Sequence, residues 1–150
     1  VETADEMFKE TQKNLPVDVA IFSAAVADFK MQKQQEEKIK KKEYLNLGLE
    51  KNIDILNYVS NHNSLRPKLV IGFAAETINL ESNSKKKLID KNCDWLIAND
   101  VSKKSVGFNS DFNEVTIFYK NKNMKEEKLS LKKKSEISDE IVDRVLNQLN

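Results

Sequence analysis

Glycine is scarce in this chain. There are 3 in 150 residues, Gly48, Gly72 and Gly107. No glycine-rich phosphate loop can be built from them. Cys93 is the only cysteine, which excludes an internal disulfide and a cysteine cluster for zinc. His62 is the only histidine, which excludes a multi-histidine metal site. Arg66 and Arg144 are the only arginines. Planar, bidentate base reading therefore has few of its usual donors, whereas lysine can still serve phosphate as a point charge. No apolar run reaches membrane-spanning length, and no signal-peptide pattern opens the sequence. A soluble, cytoplasmic protein with no membrane partner is the expectation. An excess of one charge is missing too. Lys+Arg is 25 and Asp+Glu is 24, a net charge of +1. That balance argues against a surface built for nucleic acid.

What is present fits one domain over residues 1–150, long enough for a real core. Val17, Val19, Ala20, Ile21 and Phe22 form a short apolar run after Pro16, which predicts a buried parallel strand. Ser23, Ala24 and Ala25 follow, small enough for a ligand to lie against the backbone. Asp28 then sets a carboxylate outside the strand's carboxyl end, where open α/β sheets bind ligands. Lys38, Lys40, Lys41 and Lys42 follow on a polar segment, 31–42, read as a loop or flap. A carboxylate beside the sheet and a lysine flap suit a nucleotide triphosphate. An ordinary solvated charged loop suits these residues as well.

The alternation continues along the chain. Thr3 to Leu15 reads as a helix opened by a Thr3–Glu6 capping box. Leu45, Leu47 and Leu49 alternate with polar residues, as in a half-buried strand. Asn52 to His62 reads as a helix with Asn52 as cap. Lys68 to Ala75 reads as a strand running into Glu76, and Ser82 to Asn92 as a helix capped by Ser82. Trp95 to Ala98 makes another strand, ending in Asn99 and Asp100. Three strand ends of this kind in a βαβ alternation point to one ligand crevice. Glu114–Lys120 and Glu127–Leu131 read as a hairpin. Ser138 to Leu149 closes as an amphipathic helix with Ile141, Val142, Val145, Leu146 and Leu149 on one side. The expected class is α/β: a Rossmann-like, doubly wound, mostly parallel sheet flanked by helices, with a carboxy-terminal β-hairpin.

Five ordered segments carry a family resemblance: AAVADF (24–29), KIKK (38–41), NIDIL (52–56), GFAAET (72–77) and ANDVS (98–102), with GFNSDFN (107–113) after the last. Together they resemble phosphopantothenate–cysteine ligase, the phosphopantothenoylcysteine synthetase of coenzyme A biosynthesis. AAVADF and KIKK resemble its bacterial, CTP-using branch. Ile53 stands where the family usually has proline. The family's opening strand, glycine-rich loop and serine–glycine motif have no counterpart here. The likeness is thus to the later two thirds of the ligase domain, with the amino-terminal strands missing, and the 150 residues alone are expected to lack ligase activity.

The resemblance implies ligation of 4′-phosphopantothenate to cysteine through an acyl-cytidylate, with CTP as co-substrate and Mg2+ accompanying it. It implies a nucleotide site at Phe22, Ser23, Ala24, Asp28, Lys38, Ile53, Asp54, Ile55, Leu56, Phe73, Lys87 and Lys91. Lys38 would hold phosphate or stabilise the transition state, and Ala25 would lie near the phosphopantothenoyl group. No protein metal ligand is implied. A homodimer, and fusion to a flavin-dependent decarboxylase domain, are typical of the family. Three other readings remain open at this point: a nucleotide-binding module without catalysis, a lysine-rich nucleic-acid binder, and a flavodoxin-like redox domain.

Overall fold

In the computed structural model, residues 1–32, 46–102 and 110–149 are described. Strands β1 (Val19–Phe22), β4 (Leu69–Glu76) and β5 (Trp95–Asp100) lie side by side and parallel. They are the three apolar runs of the sequence. β5 continues into β6 (Phe112–Tyr119) and β7 (Glu127–Lys133), both antiparallel, so the sheet order is β1-β4-β5-β6-β7. A separate two-stranded antiparallel ribbon joins β2 (Phe29–Met31) to β3 (Leu49–Lys51).

Burial explains why the middle strands read so clearly. Alternate residues of β4 serve opposite faces, and both faces are covered. Leu69 and Ile71 pack with Trp95, Ile97, Val115 and Ile117 under helix α4 (Lys134–Leu149). Val70 and Ala74 pack with Leu88, Cys93, Leu96 and Phe118 under helix α3 (Leu80–Asp90). A strand covered on both sides shows a continuous apolar run rather than alternation. Helix α2 (Ile55–Ser60) lies on the α3 side, where Leu56 joins that cluster.

The amino-terminal ends of β4 and β5 are fastened by one side chain. Arg66 donates to the carbonyls of Ser60, Pro67 and Asn92 and to the Asp94 carboxylate at 2.9 and 3.0 Å. Asp94 in turn accepts from the backbone N–H of Val70 at 2.8 Å. An arginine fork suits this because its donors are fixed in one plane. Cys93 sits beneath it, fully buried, its thiol pushed up to about 11 by burial. It stays protonated at neutral pH and is a packing residue.

Several boundaries differ from the sequence reading. Helix α1 (Ala4–Asn14) does carry the Thr3–Glu6 capping box, yet none of its residues is fully buried. It is held by contacts such as the edge-on Phe8–Tyr58 pair. Helix α2 starts later than expected and is capped by Asp54, not Asn52: Asp54 Oδ1 accepts from the N–H of Asn57. Helix α3 starts earlier, after Asn79 in a left-handed conformation at φ 49°. Ser82 lies inside it and bonds back to the Asn79 carbonyl, a pattern serine adopts within helices. The half-buried strand expected over 45–49 is instead β3, whose Leu49 is exposed, as is Leu47 beside it. The ribbon stands apart from the main sheet, and among the described residues no layer covers its leucines. Leu45 lies outside the described residues.

Helix α4 starts at Lys134, before the expected Ser138, and splits its expected apolar side in two. Ile137, Ile141 and Val145 are buried, while Val142, Leu146 and Leu149 are exposed. The flank carrying Glu140 and Arg144 is drawn toward β7. Arg144 donates to Glu127, and Lys132 pairs with Glu140. Two adjacent stripes on one helix share a hydrophobic side in a helical projection, but only one can point at the sheet.

Candidate functional site

The carboxyl ends of β1 and β4 open into a crevice of about 550 Å³. Four of the segments in its walls carry residues singled out in the sequence. The first is the turn after β1, which brings Phe22, Ser23, Ala24 and Asp28 to the crevice. Phe22 also leans on the α3-side core. The second is the start of α2, with Ile53, Asp54, Ile55 and Leu56. Asp54 caps the helix there, and the first N–H groups of a helix have no partner within it. The third is β4, which supplies Phe73. It is 37% exposed, so this strand phenylalanine is a wall of the crevice and not a core residue. The fourth is the outer face of α3, with Lys87 and, at its C-cap, Lys91.

Gly72 sets how closely two of these walls approach. A side-chain carbon there would fall 2.6 Å from Leu56 Cδ2 and 3.1 Å from Leu96 Cδ1. Glycine thus lets α2 lie directly on β4.

The two lysines share a helix face, as their spacing requires. Each has its own counter-ion. Lys87 Nζ lies 2.6 Å from Glu76 Oε1, and Lys91 Nζ pairs with Asp54 Oδ2. The Lys87 contact is close but off the hydrogen-bonding direction, so Glu76 Oε1 gains charge contact without an aligned hydrogen bond. Asn83 Nδ2 holds the other oxygen at 3.2 Å. Glu76, only 8% exposed at the end of β4, thus backs the wall through Lys87 without lining the crevice itself. Two like charges one helical turn apart repel mildly; these carboxylates relieve that repulsion, and an incoming anion would compete with them.

Of the residues singled out in the sequence, eleven line this one crevice although they span Phe22 to Lys91. Ala25 is exposed beside Ala24 but is not part of the lining. Lys38 lies outside the described residues. Asn99 and Asp100 stay at the end of β5. Asn99 bonds to Asn113 at 3.4 Å, and Asp100 accepts from Ser102. The crevice also has walls that the sequence did not reveal. Met7 and Thr11 of α1 face it, as do Ile21, Val26, Ala27 and Asn52. For α1 the only signal was a polar helix with a weak apolar side, and its placement depends on packing against Tyr58. Among the described residues, no group of three or more His, Cys, Asp or Glu side chains is gathered in a way that could hold a metal ion. No helix of the described residues is long and apolar enough to cross a membrane.

Fold and crevice together define the class: a mixed α/β protein, helices on both faces, with a polar-rimmed cleft where its parallel strands end. The chain belongs to the family described as the DNA/pantothenate metabolism flavoprotein C-terminal domain, which it matches over residues 1–149. It is 38% identical over 148 residues to the coenzyme A biosynthesis bifunctional protein CoaBC of Haemophilus influenzae, covering 97% of this chain and 36% of that protein. It is 40% identical over 146 residues to CoaBC of Borreliella burgdorferi, covering 95% of this chain and 35% of the relative. The chain thus spans about a third of the length of these curated relatives. Among solved structures, the C-terminal domain of CoaBC superposes with a TM-score of 0.72 at 32% identity, over 99% of this chain and 64% of that one. The DNA/pantothenate metabolism flavoprotein of Streptococcus pneumoniae shares the fold at a TM-score of 0.71 and 21% identity, over 100% of this chain and 70% of that one.

Proposed function

We propose that this chain supplies the nucleotide wall of a phosphopantothenate–cysteine ligase acting in coenzyme A biosynthesis. One observation carries the reading. Eleven residues implied by the family resemblance, scattered from Phe22 to Lys91, line a single crevice at the carboxyl ends of parallel strands. Relatives named for coenzyme A biosynthesis support the pathway.

A carboxylate is a poor electrophile, so the reaction needs activation. The carboxylate of 4′-phosphopantothenate attacks the α-phosphate of CTP and pyrophosphate leaves. The cysteine amine then attacks the acyl carbon, CMP leaves with the carboxyl oxygen, and a proton is released from the amine. The protein's part is to position the reactants and neutralise phosphate charge. The exposed segment Ser23–Ala24 admits a ligand close to the backbone, and Asp28 accepts from nucleotide hydroxyl or amino groups. Ile53 to Leu56 offer the free amides of a helix start, Phe73 gives an apolar surface, and Lys87 and Lys91 meet negative charge. Ala25, one residue along from the cleft wall, would face the pantothenoyl side. Mg2+ would accompany the triphosphate as part of the substrate and help neutralise its charge. The homodimer and the fused decarboxylase typical of the family belong to the same proposal.

The test is product chemistry. The intact protein should convert 4′-phosphopantothenate, cysteine and CTP to phosphopantothenoylcysteine, CMP and pyrophosphate. Nucleotide choice gives a second expectation, drawn from the bacterial character of AAVADF and KIKK. CTP should raise the thermal midpoint more than ATP at equal concentration, because stabilisation follows RT ln(1 + [L]/Kd), about 2.7 kcal/mol at a hundredfold excess over Kd. Equal shifts with the two nucleotides would remove the CTP preference.

A further inference from the structure

We infer that Asn52 is a positioning residue, which clamps the Asp28 turn to the start of α2 and so fixes the two halves of the nucleotide site to each other. The inference rests on the ligase reading above. The sequence marks Asn52 only as a helix cap, and the structure gives that task to Asp54. Asn52 does something else. Its side-chain Nδ2 donates to the Ala27 carbonyl at 2.7 Å, and its backbone N–H donates to the Asp28 carbonyl at 2.9 Å. One residue thus bonds two consecutive carbonyls of the turn after β1.

The position gives the clamp its consequence. Phe29, next to Asp28, pairs with Lys51 in the β2–β3 ribbon, and Asn52 follows Lys51 directly. On its other side Asn52 is followed by Ile53 and the Asp54 cap, already in the crevice wall. The turn itself is exposed at Ala27 and Asp28. Exposed as it is, the turn draws little fixity from packing against the described residues, and these two hydrogen bonds hold its backbone, from which the Asp28 carboxylate extends. Asn52 Oδ1 has no partner and is buried. An amide is kept there at the cost of an unpaired acceptor, which is expected where its donor is needed and aspartate would not serve.

Asn52→Ala removes the side-chain donor and leaves the backbone bond. In the intact protein, KM for CTP should rise about tenfold or more, while kcat at saturating CTP stays within about twofold. The KM for cysteine should not change. A purely structural role would instead lower the folded fraction, and with it the apparent kcat, leaving the KM for CTP as it was. Amide exchange of the ligand-free protein over residues 28–31 and 49–52 gives a reading independent of turnover, and it should quicken in the variant. Quickened exchange with an unchanged KM for CTP would overturn the positioning role, as would unchanged exchange. If the unsubstituted protein neither binds nor consumes CTP, the ligase reading falls and the positioning role falls with it. Asn52→Gln, which keeps a donor on a longer arm, should recover part of the CTP affinity.

Discussion

Lys38→Gln in the intact protein is expected to cut turnover about 100- to 1,000-fold. That factor corresponds to about 2.7–4 kcal/mol, the range measured when one well-placed donor to a developing oxyanion is removed. The expectation follows from the KIKK resemblance and from the chemistry. Activation as an acyl-cytidylate gathers negative charge at the α-phosphate and on departing pyrophosphate. Lys87 and Lys91 are already partnered by Glu76 and Asp54, so they bring less uncommitted charge to that point. A further lysine is the natural source. Fold stability should change by no more than about 0.5 kcal/mol, since the sequence around Lys38 is too polar to contribute to a core. Turnover should be measured at saturating CTP, so that lost binding is not mistaken for lost rate. Unchanged turnover there would leave Lys38 an ordinary solvated lysine.

Trp95→Ala is expected to be the most damaging single truncation in the sheet, at about 3–5 kcal/mol. Trp95 is 3% exposed at the start of β5, between β4 and β6. It meets Tyr119 edge-on, with ring centroids 5.3 Å apart and planes at 84°. The variant loses the buried indole, this ring pair and the close packing of the α4-side core. Domains of this size are typically stable by about 5–15 kcal/mol, so the loss would consume much of the margin. Urea unfolding followed by far-UV circular dichroism reads it directly. A loss below about 1 kcal/mol would show that neighbours collapse into the space and that the core is not anchored here.

The sequence made β4 and β5 visible because two covered faces leave little room for polar residues; β1 showed itself by the same kind of apolar run, although none of its residues is fully buried and Ile21 is exposed. It made the site visible in pieces, since each piece lies on or just after one of those strands or at one end of a helix beside it. Other features depend on partners far away in sequence. The leucines of 45–49 looked half-buried because period-two alternation carries no sign of whether a covering layer exists. Asn79 hid the start of α3, because a left-handed residue breaks the helix pattern without a glycine to mark it. Ser82 offered itself as a cap from inside the helix. Met7, Thr11 and Asn52 could not be placed in the crevice, because their roles come from the way α1 and the ribbon close over the strand ends.

The order of strands in the sheet also bears on how the molecule reaches its native state. In β6 and β7 the registered partners, such as Val115 and Leu129, are near neighbours along the chain. In β1 and β4 they are distant, as Val19 and Leu69 are. Closing the longer loop costs roughly 1 kcal/mol more, and that cost falls before the contact repays it. Assembly should therefore run from the carboxy-terminal hairpin and α4 toward β1, against the direction of synthesis. Truncating Val115 or Ile117 should slow folding, whereas truncating Val19 should mainly hasten unfolding. The reverse assignment in stopped-flow kinetics would refute this order. On this order the crevice is among the last parts to form, because one of its walls waits for β1.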